Sequence, residues 1–428
     1  MTATARKPAE VTAEEAKVAT INANNRADDK TGVKCELDGV WVHSVSVHLR
    51  HNHPSTSLSS YRMQYPGAEI ESAYFKELRA SKNGAKAAPT APAPVAEEKK
   101  VVPFPAAPGV VMTALSTVFD MPASAAFLNG AKKPVVTAVF PEPSKDHEIY
   151  MAEVDTNYVF EAEELREINL ALFLNIPALL WGFHGTGKTT LIEQFVARTR
   201  RPWIRVQHTV STEEAHILGQ YVVKPNPEGE GNIMVFEPGP LAVAMREGFV
   251  YVADEYDFAL PSVTSVYQPV LEGKTLLIKE APPEWRMVKP HPNFRFFATG
   301  NTNGSGDESG LYQGTQIMNA ANYSRFGVTM QVRYREPDVE TVLVAKQSGA
   351  TAKDARLLVN FATNVREAYE KGDISATVSS RELINAARIG VAKAGDFRAG
   401  IRAAYANRLN ATDRKAIEDF AQRIFGGE

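Results

Sequence analysis

Between Ile176 and Val332, short apolar runs alternate with stretches whose apolar residues recur at helical spacing, the rhythm of parallel strands joined by crossover helices. The runs are ALLW ahead of a glycine-rich loop, PWIRVQ (Pro202 to Gln207), FVYVA (Phe249 to Ala253), FRFFAT (Phe294 to Thr299) and FGVTMQV (Phe326 to Val332). Ahead of them AEELREINLALFLN places Leu165, Ile168, Leu170 and Leu172 on a helix that leads into the sheet. Two segments break the rhythm. YVVKPNPEGEGNIMVFEPGP has turn residues between apolar arms and predicts a β-hairpin, and LLIKEAPPEWRMVKPHP predicts another ahead of the fourth strand. After Pro337 only helical patterns remain, with Val339, Val342, Leu343 and Val344 on one helix and Leu357, Leu358, Phe361 and Val365 on the next. The expected fold is α/β, a parallel sheet sandwiched by helices and closed by a C-terminal helical lid.

The N-terminal third reads differently. Residues 1–30 carry almost no large apolar side chains and are expected to be a flexible tail. Residues 31–83 hold the only cysteine, a cluster of histidines and the aromatics Trp41, Tyr61, Tyr65, Tyr74 and Phe75, which together predict a small module. Pro89, Pro92, Pro94, Pro103, Pro105 and Pro108 make residues 84–112 a semi-rigid linker. Residues 113–152 lead into an α/β domain at 153–336, followed by the lid at 337–428. A net charge of −3 excludes a general basic field for nucleic acid or anionic lipid. One cysteine excludes an internal disulfide, and no stretch reaches the ~18 apolar residues of a membrane span. The first residues lack the apolar core of a signal peptide, so the expected location is the cytoplasm, away from membranes.

The candidate chemistry lies at strand ends. Gly182-Phe183-His184-Gly185-Thr186-Gly187-Lys188-Thr189 fits G-x4-G-K-[ST] directly after one strand, and Thr190 continues into a helix. This is a P-loop in its proper context: glycines let backbone N–H groups fold around phosphates, and a helix N-terminus adds its positive end. Lys188 is expected on the β and γ phosphates of ATP, and Thr189 on Mg²⁺. Asp254 and Glu255 follow a buried strand, where Asp254 would serve the Mg²⁺ and Glu255 would polarise the attacking water. Asn301, after the next strand, can orient that water as a sensor. Arg325 is the candidate finger reaching a neighbouring subunit's site, with Arg333 and Arg335 as alternatives. Arg381, opening a helix after Ser379 and Ser380, is placed to touch the γ phosphate from the lid.

With those residues in view, the stretch from about Glu153 onward resembles MoxR-type AAA+ ATPases, and within them the ATPase subunits of aerobic cobaltochelatases. GFHGTGKTTLIEQ, VADEYDFALPSV and FFATGNTNGSGDESGLYQGTQ carry the likeness. It implies a ring, hexameric in such proteins, with ATP sites between subunits and a partner bearing a von Willebrand factor A domain. The N-terminal KCELDGVWVHSVSVHLRHNHP resembles the single zinc finger of Ros/MucR regulators, with Cys35-x2-Asp38-x9-His48-x4-His53 in place of a Cys2His2 set. Two readings stand: a Zn²⁺ site of Cys35, Asp38, His48 and His53 with His43 as a spare, or a metal-free finger packed on Trp41, Val45 and Leu49. Lys34, Arg50 and Arg62 are scattered among Glu36, Glu69 and Glu71, so nucleic-acid contacts through it would be few and salt-labile, and protein docking is an equal alternative. Three functions follow: a motor remodelling a von Willebrand A partner, a genuine cobaltochelatase subunit, or a nucleic-acid-associated ATPase recruited by the finger.

Overall fold

The structure, a computed structural model, describes residues 25–76, 109–227, 229–307 and 310–426; most of the expected tail and linker lie outside them. The chain divides at Lys100/Val101 into two compact units.

In the first unit, β1 (Val33–Lys34) pairs antiparallel with β2 (Trp41–Val42). The connecting turn closes through Gly39, whose N–H donates to Cys35 O at 2.7 Å with φ at +75°, a conformation open to glycine. Two helices follow, α1 (Val45–Asn52) and α2 (Leu58–Gln64). The core between them is small: Val33, Cys35, Val42, Val45, Leu49 and Tyr61 are its buried members. Tyr61 also accepts a hydrogen bond from Glu36 N at 2.8 Å, pinning α2 to the hairpin.

The second unit begins with β3 (Val111–Ala114), which opens inside the span read as linker and pairs antiparallel with β4 (Val136–Val139). Leu115, Phe119 and Phe127, from this lead-in stretch, are buried against Phe160 and Phe195. Helix α3 (Ala162–Leu174) then ends on Asn175 in the left-handed conformation, a common C-cap. It buries Leu165, Ile168 and Leu172 but leaves Leu170 44% exposed, on the opposite side from the core. The chain continues as β5 (Ala178–Trp181), α4 (Lys188–Arg198), β6 (Trp203–Gln207), the hairpin β7 (Gly219–Pro225) and β8 (Asn232–Pro238), α5 (Pro240–Glu247), β9 (Val250–Asp254), the short pair β10 (Leu276–Leu277) and β11 (Met287–Val288), β12 (Arg295–Gly300) and β13 (Val328–Gln331).

Five of these strands form one parallel sheet in the order β13-β5-β12-β9-β6. Its inner strands β9 and β12 are buried at every position, as a sheet covered on both faces requires. The period-two pleat divides their side chains between two cores. Leu179, Tyr251, Ala253, Phe296 and Ala298 pack with Leu241, Met245 and Phe249 on one face. Ala178, Leu180, Val250, Val252 and Phe297 pack with α3 and with Leu191, Ile192 and Phe195 of α4 on the other. After β5 the chain crosses to the far edge at β6 and then returns strand by strand, so β12 sits between β5 and β9. The carboxyl ends of β5, β12 and β9 therefore meet at the point where the winding reverses, the usual position of a ligand site in such sheets.

The lid is a helical bundle of α6 (Pro337–Ser348), α7 (Ala352–Glu370), α8 (Ser380–Ala392), α9 (Phe397–Ala404) and α10 (Ala411–Phe425). Thr351, Ser379, Asp396 and Asn410 cap α7 to α10 with their side chains, and Ser379 forms a reciprocal capping box with Glu382. Leu358, Phe361, Val365, Leu383 and Ile417 fill its core, while Val342 faces outward at 45% exposure. One charge pair lies inside it. Glu340 is fully buried and receives two bonds from Arg366, at 2.7 and 2.8 Å, plus one from the Ser380 hydroxyl. Arg366→Ala strands that carboxylate, and lid stability should fall by about 3–5 kcal/mol; a calorimetric scan in which no transition moves down would reject this account.

Candidate active site

The loop after β5 takes its shape from residues with no side chain to accommodate. Gly182, Gly185 and Gly187 have φ of +150°, +67° and +94°. A Cβ at Gly182 would lie 2.1 Å from Val332 O, and one at Gly185 would lie 2.5 Å from the Ser379 Cβ of the lid. The loop thus runs wedged between sheet and lid and hands Lys188 to the first turn of α4. Lys188 is 9% exposed, and its Nζ donates to Gly182 O (2.8 Å), Phe183 O (2.9 Å) and Asn301 Oδ1 (3.1 Å). Burial lowers its pKa to about 8, against the opposing pull of Asp257, Asp254 and Glu255.

Asp254, at the end of β9, is the hub. Its Oδ1 accepts from Thr189 Oγ1 at 2.6 Å and from Thr299 Oγ1 on β12, and its Oδ2 accepts from Arg205 Nε on β6 at 2.8 Å. Burial pushes its pKa up, but the two hydroxyls and the Arg205 charge outweigh that and hold the carboxyl below its ordinary value. Thr189 and Asp254 form a hard, all-oxygen donor pair at the end of the loop, and such a pair fits a small divalent cation that keeps most of its water. Glu255, next in the chain, has φ of +52°, rare for a side chain of this size. Its N–H donates to Thr299 Oγ1 at 3.1 Å, and its carboxylate accepts from Gln207 Nε2 at 2.9 Å.

Asn301 is fixed from both sides. Its side chain accepts from Lys188, and its backbone N–H donates to Asp257 Oδ2 at 2.8 Å, an oxygen that also takes the N–H and hydroxyl of Thr302. His184 is tied to Tyr312, whose hydroxyl accepts the His184 N–H at 2.9 Å, and burial lowers the imidazole pKa despite Glu382 nearby. Arg381 reaches the loop from the first turn of α8.

Lys188, Thr189, Asp254, Glu255, Asn301 and Arg381 all line one cavity of about 250 Å³. A second, of about 260 Å³, shares Gly185, Gly187, Thr190 and Arg381 with it and extends past Tyr158 and Gln347, with Thr186 on its wall. The first is polar and carries Lys188, the two arginines Arg205 and Arg381, and the two carboxylates of Asp254 and Glu255. It can hold a metal-bound polyphosphate beside a water-polarising acid.

Arg325 is not among the residues lining either cavity; its Nε donates to Glu272 at 2.8 Å and it also bonds Ala321 O. Of its alternatives, Arg333 bonds Gln331, whereas Arg335 is buried and bonds Glu161 (2.8 Å), Glu164 (3.3 Å) and Tyr158 (3.1 Å), which ties the last strand to α3. In the first unit, ligand atoms of Cys35, Asp38, His48 and His53 all lie within 4.8 Å of one another. His43 is engaged elsewhere, its Nδ1 3.0 Å from Ser72 Oγ.

Sequence reading missed Arg205, Asp257 and Gln207. Each comes within reach of its partner only through the sheet, across 44 to 49 residues of chain. The one available signal was polar residues at alternate positions of an otherwise apolar edge strand, Arg205 and Gln207, near its carboxyl end.

Residues 177–326 match the family AAA domain (dynein-related subfamily), and residues 340–424 match the CbbQ/NirQ/NorQ C-terminal family. The aerobic cobaltochelatase subunit CobS of a Sinorhizobium species is 34% identical over 288 residues, which is 65% of this chain and 84% of that protein. Protein NorQ of Paracoccus denitrificans is 28% identical over 271 residues, 63% of this chain and 94% of its own. A mutant of Thermotoga maritima RuvB is a distant solved likeness, with TM-score 0.38 and 13% identity over 62% of this chain and 71% of that one. Among the described residues, no helix is long and apolar enough to cross a membrane.

Proposed function

This chain belongs to the MoxR-type AAA+ ATPases, the family of CobS and NorQ, and is an ATPase; from that premise we propose that it is the motor of a ring that uses ATP to remodel a protein partner. The observation that carries the reading is the convergence of Lys188, Thr189, Asp254, Glu255 and Asn301 on one cavity at the carboxyl ends of three adjacent strands.

The amides from Gly185 to Gly187, with Lys188, grip the β and γ phosphates, and the adenine fits the second cavity beside Tyr158 and Thr190. Thr189 and Asp254 hold Mg²⁺, which when bound neutralises charge on the phosphates. Glu255 takes the proton of the attacking water, and Asn301, held by Asp257, orients that water. Arg381 brings the lid onto the γ phosphate. Phosphate release by the wild-type chain, dependent on Mg²⁺ and lost with Glu255, tests this assignment.

AAA+ ATPases commonly oligomerise into rings, and on this reading the ring is a homohexamer. On this reading Arg325, which lies away from its own cavity and pairs with Glu272, turns to supply its charge to the neighbour's site once the ring assembles. Arg325→Ala should still assemble and bind ATP, yet turn over at least about tenfold more slowly for want of a cation on the developing charge. Equal turnover in Arg325→Ala and the parent would place the finger elsewhere.

The partner is proposed to carry a von Willebrand factor A domain, and the location to be cytoplasmic. Capture from native cells on Glu255→Gln, with the bound chains identified by mass, would name it; recovery of none with that domain would overturn this part alone. A second reading, that the chain is itself a cobaltochelatase subunit, is favoured by the 34% identity to CobS. Cobalt insertion in a mixture reconstituted with the captured partner discriminates the two. Recruitment to nucleic acid has weaker support, since Lys34, Arg50 and Arg62 of the finger are scattered among Glu36, Glu69 and Glu71.

A further inference from the structure

The ATP site makes no use of the only thiol in the chain. Cys35 is fully buried at the hairpin of the first unit, Asp38 stands in the same turn, His48 projects from α1, and His53 caps that helix. These residues come from two separate elements, yet their donor atoms converge to within 4.8 Å. His48 Nε2 is 2.7 Å and His53 Nε2 is 2.8 Å from a single oxygen, Asp38 Oδ2.

Packing does not account for this. His48 is 5% exposed, and a histidine buried for its apolar bulk would not turn its Nε2 toward a carboxylate oxygen that a second imidazole shares. Its far nitrogen, Nδ1, is 2.9 Å from the side-chain amide of Asn52 one turn on, so the ring's orientation is fixed by a partner behind it, as in metal-bound imidazoles.

The dimensions also fit. Zinc holds nitrogen and oxygen at about 2.0–2.1 Å and sulfur at about 2.3 Å, so the edges of its tetrahedron run to roughly 3.3–3.6 Å. The observed separations, from 2.7 Å to no more than 4.8 Å, bracket those edges, and side-chain movements of up to about 1 Å bring them into line.

We propose that Cys35, Asp38, His48 and His53 form a closed, four-ligand structural zinc site. One thiolate and two imidazoles select zinc over the hard cations that prefer oxygen alone, and four protein donors leave no coordination position for chemistry. The site joins the hairpin to α1 across a core of six buried apolar side chains, which is little for an independent unit; units this small usually need a staple.

The test uses the full-length chain without a polyhistidine tag, dialysed in Mg²⁺ buffer. It should retain a single zinc per chain by elemental analysis. Loaded with Co²⁺, it should show the visible bands of tetrahedral cobalt and a near-ultraviolet thiolate-to-cobalt band. Because Cys35 is the only cysteine, that band has no other source, and Cys35→Ser should abolish it. Asp38→Cys guards against a variant that merely fails to fold: a second thiolate should tighten zinc by about tenfold or more in competition with a chelator. A parent chain that takes up neither zinc nor cobalt, a Cys35→Ser chain that keeps its full zinc, or an Asp38→Cys chain with unchanged affinity would each overturn the proposal.

Discussion

Glu255→Gln is expected to keep its ATP and lose turnover, by about 10²–10⁴-fold, the usual contribution of a positioned base. The substitution preserves shape. Glutamine can still receive the Gln207 amide on its one remaining oxygen, and the Glu255 N–H bond to Thr299 belongs to the backbone and stays. Lys188, Thr189 and Asp254 are untouched, so the binding half of the site survives while the proton acceptor is gone. Phosphate release measured beside nucleotide retained through gel filtration separates the two. Turnover within a few-fold of the parent would mean that another group accepts the proton.

Lys188→Ala should do the reverse and abolish binding. Taking one member from a buried charge pair costs about 2–5 kcal/mol, or roughly 30-fold to several-thousand-fold in affinity. Lys188 also makes a pH signature available. Its pKa is about 8 with the site as described, and the charged form is the one that grips phosphate. Affinity should therefore be full below pH 8 and weaken as pH rises through it, with binding above pH 8 drawing a proton from the buffer. Calorimetric titration of the parent in buffers of different ionisation enthalpy, on either side of pH 8, reads both effects. Lys188→Arg removes the titration, since guanidinium stays charged, so any binding it keeps should be flat with pH. A parent equally flat across that range would show that the lysine remains charged in the free site.

Much of this site could be read along the chain, and the reason is physical. Buried strands of a parallel sheet are apolar on both faces, so β5, β9 and β12 announce themselves as unbroken runs, and the P-loop is local, its glycines, lysine and threonine being consecutive. What escaped depends on the order of strands. Nothing local says that β12 lies between β5 and β9, and so nothing local pairs Asp257 with the Asn301 backbone or Arg205 with Asp254. The lead-in stretch escaped for a different reason: Leu115, Phe119 and Phe127 enter the core from single helical turns too short to show a period. Leu170 and Val342 lie on the helices expected of them but face solvent, as apolar residues on helices can without penalty enough to forbid it.

Gly185 leaves no space, not even for a methyl group, between the loop and Ser379 at the head of α8. Parts in such contact cannot slide independently. A displacement of the loop's backbone as phosphate arrives or departs must push on Ser379, and through α8 on the four other helices of the bundle. On the function proposed above, a shift of atomic size at this contact would become a longer stroke at the bundle's far end, and the lid would be the lever that converts phosphate chemistry into work on the partner.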